Sequence, residues 1–235
     1  KAADNALPDI LLGRWMTPTA VGLFSRANST VNMVSTALLP TVNYFALPYM
    51  AKVHHANGPV AGEYLRATSL INSLILPALA AIAVLAHDIV SLLYGSTWLQ
   101  AAPAIPWLCL AYAVSSLFTL STPALTGVGK PYASIGPTAF LVFVKIAFAW
   151  WLMDGTLRTF AVAIALGQLL SAPAMVLMLY RHLGLPVLAW LKNTLSVFAL
   201  AASIGTLCWI IRILLPDGWP SILTIAVTGS AAVIA

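Results

Sequence analysis

The sequence predicts an all-α fold, a polytopic transmembrane helix bundle. Of its 235 residues, 61% are hydrophobic and only 7% are charged, against about 25% charged in an ordinary soluble domain. The apolar residues form runs of about 20, the length with which a helix crosses roughly 30 Å of hydrocarbon. These runs lack the alternation of an outer-membrane barrel. Together the observations exclude a disordered chain, a nucleic-acid-binding domain and a soluble enzyme.

Glycine, proline and charged residues divide the chain into six full or nearly full spans and two partial ones. The predicted full spans are residues 21–50, 68–86, 101–125, 134–153, 159–180 and 193–215, and the partial spans are residues 6–16 and 222 onward. Residues 52–66 are predicted to form a polar loop, and residues 87–98 an interfacial or re-entrant piece. Pro40 and Pro48 are expected to kink the first full span. Because both ends look cut, the sequence is interpreted as a fragment of a longer protein.

Lysines and arginines in alternate loops predict the orientation in the membrane. One side collects five cations: Lys52, Arg66, Lys130, Arg181 and Lys192. The other side has three arginines and three aspartates: Arg14, Arg158, Arg212, Asp88, Asp154 and Asp217. The side with five cations is therefore predicted to be cytoplasmic.

Lys145 is predicted to lie near the centre of the bilayer. It follows Ser134 by 11 residues, which is roughly 16 Å along a helix, and at that depth a lysine costs about 2.5–3.5 kcal/mol unless it faces a cavity or a partner. The polar residues of this helix share one face within about 80°: Lys130, Ser134, Thr138 and Lys145. Phe143 and Trp150 lie opposite and are expected to face lipid. The alternative for Lys145 is a structural lysine that bonds to a carbonyl of a neighbouring helix.

A second polar stripe follows Arg26 in the first full span. Asn28, Asn32, Thr36 and Asn43 share one helix face, within about 80° at 100° per residue. Amides in hydrocarbon need partners, so such a stripe either joins helices or lines a wet cavity. The cavity is the favoured interpretation. Arg26 either belongs to that cavity or is an interfacial anchor whose guanidinium reaches the lipid headgroups.

The chemistry that the sequence lacks also narrows the function. No unambiguous carboxylate lies at the centre of a complete span, so the deep charges are cationic and suit an anionic substrate such as a diphosphate. No catalytic triad, HExxH or Walker motif is present, so neither enzyme chemistry nor a cofactor is predicted. His54 and His55 lack further ligands at metal-binding spacing, so no metal site is predicted. Cys109 and Cys208 are interpreted as small buried hydrophobes.

Three motifs stand in an order that is typical of one membrane family. The first motif begins with DILLGR at residues 9–14 and continues with Thr17-Pro18 and with VGLFSRA at residues 21–27. The second is IVSLLYGSTW at residues 89–98, and the third is GVGKP at residues 127–131. From about residue 5 to residue 181, this order resembles that of Wzx-type polysaccharide or lipopolysaccharide (O-antigen) flippases of the multidrug/oligosaccharidyl-lipid/polysaccharide (MOP) superfamily. The matching family passages are D-x-L-L-G-R…P…G-L-Y-S-R-A, the L-L-x-G-x-x-W periplasmic elbow and the G-[KR]-P cytoplasmic turn.

The resemblance implies a fold of two six-helix bundles around a cavity that opens alternately to each face of the membrane. Residues 1–182 would then be the C-terminal bundle, with a truncated first helix, and residues 183–235 additional helices, the last one truncated. Members of this family flip undecaprenyl-diphosphate-linked oligosaccharides across the bacterial inner membrane. The implied partners are that lipid-linked substrate, membrane lipid and the N-terminal half of the same protein. Arg26 matches the arginine of the first motif, and Lys145 matches no motif residue.

The leading hypothesis is therefore a flippase that works by alternating access. Arg26 and Lys145 would neutralise the diphosphate, and Asn28, Asn32 and Asn43 would hydrogen-bond to sugar hydroxyls. The alternatives are a multidrug or cation antiporter of the same superfamily, a membrane glycosyltransferase or polymerase, and a purely structural membrane subunit.

Overall fold

A computed structural model describes residues 13, 17–152 and 156–214, and its regular elements are all helical. The α-helices of this part are α1 Pro18–His55, α2 Val60–Val84, α3 Ala86–Tyr94, α4 Ile105–Ser116, α5 Ser121–Gly127, α6 Ile135–Trp151, α7 Leu157–Leu183 and α8 Val187–Leu214. Two 3-10 helices, Ser96–Ala104 and Pro131–Ser134, precede α4 and α6. The predicted all-α bundle is confirmed over these residues. The predicted partial spans, 6–16 and 222 onward, lie outside them apart from Gly13, as do Arg14, Asp154 and Asp217.

Five segments of the described chain are long and apolar enough to cross a membrane. They are Val60–Val84, Ser96–Gly127, Pro131–Trp151, Leu157–Leu183 and Val187–Leu214. Helix α1 has 38 residues, about 57 Å at 1.5 Å per residue, and it continues through Pro40 and Pro48. It is not among the five, because Arg26 and the asparagines lower its hydropathy. The first predicted full span, residues 21–50, is therefore a helix of sufficient length whose surface is too polar to face lipid all round.

The predicted polar loop at residues 52–66 is wrong for most of its length. Helix α1 continues to His55 and α2 begins at Val60, which leaves residues 56–59 as the connection. Val60 and Tyr64 are buried against the core, and Glu63 lies in the first turn of α2, where a carboxylate is favoured by the helix dipole. The polar composition of this stretch thus reflects the ends of two helices.

The predicted span at residues 101–125 is a broken helix. Helix α4 ends at Ser116 and α5 begins at Ser121, and turn bonds such as that from the Thr119 backbone nitrogen to the Ser116 carbonyl at 3.2 Å satisfy only part of the carbonyl capacity at the break. Further partners stabilise such a break inside a membrane protein. The Tyr64 hydroxyl donates to the Leu117 carbonyl at 3.1 Å, and Asn72 Nδ2 donates to the Ser116 carbonyl at 3.4 Å. The Ser116 hydroxyl in turn donates to Asn72 Oδ1 at 2.6 Å. Polar side chains of α2 therefore stabilise the break, which the apolar pattern of the sequence does not reveal.

An Asn72→Ala variant is expected to lower the free energy of unfolding by about 1–2 kcal/mol, because both bonds to Ser116 are lost inside the bundle. The matched control is Ser73→Ala, which removes a hydroxyl that bonds to the Leu70 carbonyl of its own helix at 2.8 Å. Melting temperatures of the detergent-purified proteins, measured by size-exclusion chromatography after heating, test this difference. Equal melting temperatures for the two variants would contradict the role given to Asn72.

The predicted cationic loops gather at one end of the bundle. A cleft of about 620 Å³ is lined by the last turns of α1, with His54 and His55, and by residues 126–129. Lys130 Nζ lies 3.5 Å from the His182 carbonyl, at the end of α7. The predicted placement of residues 52–66 and 127–131 on the same side is thus confirmed. At the opposite end, Arg212 Nε donates to Asp88 Oδ2 at 2.8 Å.

The GVGKP motif is explained by two glycines at the cationic end. A Cβ atom on Gly127 would lie 3.0 Å from the backbone nitrogen of Ala51. Because glycine has no side chain, α5 can approach the backbone of α1 at this point. Gly129 has a φ of +77°, a conformation that glycine adopts without steric cost. The motif therefore makes a tight turn against the end of α1.

The apolar core joins all the long helices. Phe24 of α1 packs edge to face on Phe160 of α7, with ring centroids 5.5 Å apart. Phe118 stacks on Trp190 of α8 at 5.9 Å. Cys109 and Cys208 are buried, as the sequence predicts. Helix α8 packs against α2, and the division of the chain at residues 182 and 183 stays a prediction.

Candidate functional site

Helix α1 carries a polar face that the described part of the chain leaves uncovered. The helix begins at Pro18, and the Thr17 side chain caps it by accepting a hydrogen bond from the backbone nitrogen of Ala20 at 3.3 Å. Its apolar face buries Phe24 and Val31. Eight exposed residues on the other face, polar and apolar, surround Ala37, which is also exposed: Ser25, Arg26, Ser29, Met33, Thr36, Pro40, Thr41 and Tyr44. We call these eight residues the open face of α1.

Arg26 is exposed and lies close to two aromatic rings. Its Cζ atom lies 5.4 Å from the centroid of the Tyr94 ring and 5.2 Å from that of the Trp98 ring. Both distances fall within the range of cation–π attraction. Tyr94 ends α3 and Trp98 lies in the following 3-10 helix, so two sequence motifs that are about 70 residues apart meet at this arginine. The sequence identified both motifs but not their contact, because nothing local links them.

The three asparagines border the open face and have different surroundings. All three are partly buried. Asn28 Oδ1 accepts a hydrogen bond from the Tyr112 hydroxyl of α4 at 2.9 Å. Asn43 Oδ1 is buried and has no hydrogen-bond partner among the described residues. The backbone carbonyl of Asn32 accepts a bond from Thr36 at 3.1 Å. The stripe thus combines a helix-joining contact at Asn28 with an unused acceptor at Asn43.

Lys145 is buried between α6 and α7, with 7% of its surface exposed. Lys145 packs directly on Gly167 of α7. A Cβ atom added to Gly167 would lie 2.8 Å from the Cγ atom of Lys145 and 3.1 Å from its Cα atom. Phe143 and Trp150 are 68% and 74% exposed, which agrees with the predicted lipid-facing side of this helix. Gly167 is the residue that sequence reasoning missed, since a glycine inside an apolar run gives no sign of which helix it contacts.

The described contacts do not join Arg26 to Lys145. Arg26 contacts the segment that follows α3, whereas Lys145 packs against α7. Helices α1 and α7 touch through Phe24 and Phe160. A shared cavity for the two cations therefore stays a prediction.

The carboxylates of the described residues lie away from the open face of α1. They are Glu63 and Asp88. Glu63 accepts a hydrogen bond from the Tyr49 hydroxyl at 2.7 Å, near the cationic end, and Asp88 pairs with Arg212 at the opposite end. No group of three or more potential metal ligands occurs in this part of the chain. The open face therefore presents one guanidinium and several hydroxyls, with partly buried amides at its border, a combination that suits an anionic, hydroxyl-rich ligand.

Comparison with known proteins gives two matches. A family model described as polysaccharide biosynthesis protein matches residues 2–103, which include Arg26, the three asparagines, Tyr94 and Trp98. The teichuronic acid biosynthesis protein TuaB of Bacillus subtilis (strain 168) is 20% identical over 201 residues, which are 85% of this chain and 42% of TuaB. The chain thus spans less than half the length of the curated relative that it matches. No solved structure matches the chain.

Proposed function

Starting from a multi-pass membrane chain of the polysaccharide biosynthesis, flippase-type family, we propose that the whole protein is a transporter and not an enzyme. It moves a lipid-linked saccharide, an undecaprenyl-diphosphate-linked oligosaccharide of an O-antigen or exopolysaccharide, across the bacterial inner membrane. The cationic end faces the cytoplasm, because lysine and arginine favour that side of a membrane protein. The observation that carries the proposal is the open face of α1 with Arg26.

Arg26 binds the diphosphate of the substrate in this proposal. Tyr94 and Trp98 lie within cation–π range of the guanidinium, and its planar fork of N–H groups can bind phosphate oxygens in pairs, a geometry that arginine offers and lysine does not. Glu63 and Asp88 are engaged elsewhere, so neither competes for the guanidinium. A fixed cation on an otherwise uncharged helix face attracts a substrate whose charge lies in its phosphates.

The saccharide contacts the amides and hydroxyls beside the arginine. Ser25, Ser29 and Thr36 are exposed on the open face, and Asn28, Asn32 and Asn43 border it. Each of these groups can donate or accept a hydrogen bond. Polar contacts of this kind are tolerant of sugar type, which suits a transporter for a repeat unit. The apolar tail of the substrate stays in the bilayer.

Alternating access supplies the movement. The N-terminal half of the same protein forms the opposite wall of the cavity, and rocking of the two halves opens it to each side of the membrane. Lys145 is the second cation in the path. It is buried in this conformation, so the proposal requires that α6 and α7 expose it during the transport cycle.

The test of this function is an Arg26→Ala variant of the full-length protein in a strain that lacks its own flippase. We expect polysaccharide export to fall at least tenfold, because the diphosphate loses its fixed cation. Arg26→Lys should retain part of the activity, since the charge is kept but the in-plane donor geometry is lost. The control is Arg158→Ala, which removes an exposed arginine from the start of α7. Normal export from Arg26→Ala at normal membrane abundance, checked by immunoblot, would overturn the role of Arg26.

Trp98 is expected to act by positioning Arg26. A Trp98→Ala variant should lower export about threefold to tenfold in the same assay, because one ring of the aromatic pair is lost and the guanidinium is no longer held. Trp98→Phe should restore most of the loss, since a ring remains. Trp150→Ala is the matched control, because Trp150 is 74% exposed on α6. Equal export from Trp98→Ala and Trp150→Ala would show that the stacking has no role.

A further inference from the structure

An apolar groove runs between α2, α4 and α8, on a part of the bundle that the proposed function does not use. Its volume is about 520 Å³, which lies within the range of cavities that hold small ligands. Much of its lining consists of small residues, including Ala80, Ala83, Ala113, Ala202 and Gly205. Because these side chains are short, the helices leave space between them that no larger residue of the described chain fills.

The groove is separate from the open face of α1. Helix α4 lies between the two, since its Tyr112 bonds to Asn28 of α1 whereas Leu110 and Ala113 line the groove. At 100° per residue, Tyr112 and Ala113 point in clearly different directions. A molecule in the groove would therefore not occupy the surface proposed for the transported substrate.

A charged pair stands at the outer end of the groove. Arg212 follows Gly205 by seven residues, which places both on nearly the same face of α8, and it is one turn beyond the groove residue Trp209. Arg212 Nε donates to Asp88 Oδ2 at 2.8 Å, and the two side chains are 41% and 14% exposed. Arg212 is 25 residues beyond Val187, the first residue of α8, which is about 38 Å along a helix and enough to cross about 30 Å of hydrocarbon. A long cationic side chain at that distance reaches lipid headgroups.

We propose that the groove is a binding site for a phospholipid of the bilayer. One acyl chain lies between α2, α4 and α8, and the phosphate accepts hydrogen bonds from the exposed part of the Arg212 guanidinium. The apolar lining suits an acyl chain, and the cation at the end of the groove suits the phosphate of the headgroup. A bilayer places these two parts of a lipid in the same order, with the chain inside and the headgroup at the surface. The bound lipid fills the space between α8 and the rest of the bundle, so it is a structural component and not the cargo.

The position of the acyl chain is tested with the full-length protein in vesicles of phosphatidylethanolamine and phosphatidylglycerol. The probe is a phosphatidylcholine with a diazirine in one acyl chain, and labelled residues are mapped by mass spectrometry after irradiation. We expect labels on the α4 residues of the groove, Pro106 and Leu110 among them. Ala202→Phe, which fills the groove, should reduce these α4 labels at least fivefold. Ala199→Phe, an exposed position of α8 outside the groove, should leave them unchanged.

The role of the charged pair is tested by counting phospholipids that remain bound to the purified protein in native mass spectrometry. Arg212→Gln and Asp88→Asn both break the ion pair, but only the first removes the cation. We expect a loss of bound phospholipid of at least threefold in Arg212→Gln and retention in Asp88→Asn. An equal loss in both variants would overturn the headgroup role of Arg212.

Other occupants of the groove would overturn the proposal in distinguishable ways. If a photoreactive polyprenyl diphosphate labels α4 and the phospholipid probe does not, the groove serves the substrate. If a chemical cross-link joins residues 215–235 to α4 and lipid labels are absent, the chain itself covers the groove. Neither result would bear on the assay of Arg26, so failure of the lipid site and failure of the transport function remain separate outcomes.

Discussion

Polysaccharide export is expected to be lost, by a factor of about a hundred or more, when Lys145 is replaced by glutamate in the full-length protein. Lys145 lies near the middle of α6 and is buried against α7. In the proposed transport path, a carboxylate there would remove the attraction for a diphosphate and would repel it, and a charge at this depth is costly without a suitable partner. The measurement is complementation of a strain without its own flippase, with the amount of protein in the membrane checked by immunoblot.

Two further variants at this position and one control at Lys192 separate charge from packing. Lys145→Met keeps an unbranched stem of similar length beside Gly167 and removes the ammonium group with its charge and its hydrogen-bond donors, so export should fall about tenfold at normal abundance. Lys145→Arg should be partly tolerated, since the charge is kept although its geometry differs. Lys192→Glu, the same reversal at an exposed lysine near the start of α8, should change export little. Normal export from both Lys145→Met and Lys145→Glu would make this lysine structural and would remove it from the transport path.

A Gly167→Ala variant is expected to unfold at a clearly lower temperature, with a free energy of unfolding reduced by about 1–3 kcal/mol. The added Cβ atom would lie 2.8 Å from Lys145 Cγ, 3.1 Å from Lys145 Cα and 3.3 Å from its backbone nitrogen. Because two of these atoms belong to the backbone of α6, rotation of the lysine side chain cannot relieve the overlap, and the helices must separate. Melting temperatures of the detergent-purified variants give the measurement.

Gly136→Ala is the matched control for this effect. Gly136 lies in the first turn of α6, and a Cβ atom added there would have no other group within 4 Å. Alanine is favoured over glycine in a helix by about 1 kcal/mol, so this variant should be neutral or slightly more stable. If Gly167→Ala melts at the same temperature as Gly136→Ala, the close approach of α6 and α7 does not exist in the protein.

The two experiments bear on one physical question, which is whether Lys145 can leave its buried position. A close glycine contact permits α6 and α7 to pack around the lysine, and the transport proposal requires that the same pair of helices open during the cycle. Export that survives Gly167→Ala while stability falls would indicate that loosening this contact is compatible with transport. Loss of both would indicate that the contact also holds the lysine in its functional place.

Much of the fold follows from local patterns in the sequence. Apolar runs bounded by glycine, proline and charged residues predicted the helices, because a chain in lipid must satisfy its backbone hydrogen bonds within each segment. The same periodicity predicted that Phe143 and Trp150 face away from Lys145, and both are exposed while the lysine is buried. The polar stretch at residues 52–66 was misread as a loop, because charged residues are as common at helix ends as between helices.

Three features of this protein depend on contacts between helices that are far apart in the sequence: the break in the third predicted span, the surroundings of Arg26 and those of Lys145. Local patterns are enough to predict most of the helical segments and their apolar faces, since these properties are set by neighbouring residues, but not the helical ends within residues 52–66 or the break within 101–125. The break at residues 117–120 is stabilised by Tyr64 and Asn72 of another helix, and Arg26 meets Trp98 through a contact across 72 residues (98 minus 26). Gly167 has no local mark that pairs it with Lys145. Such contacts depend on which helices pack side by side and at what angle, and the periodicity of one segment shows its buried face but not the helix that the face meets.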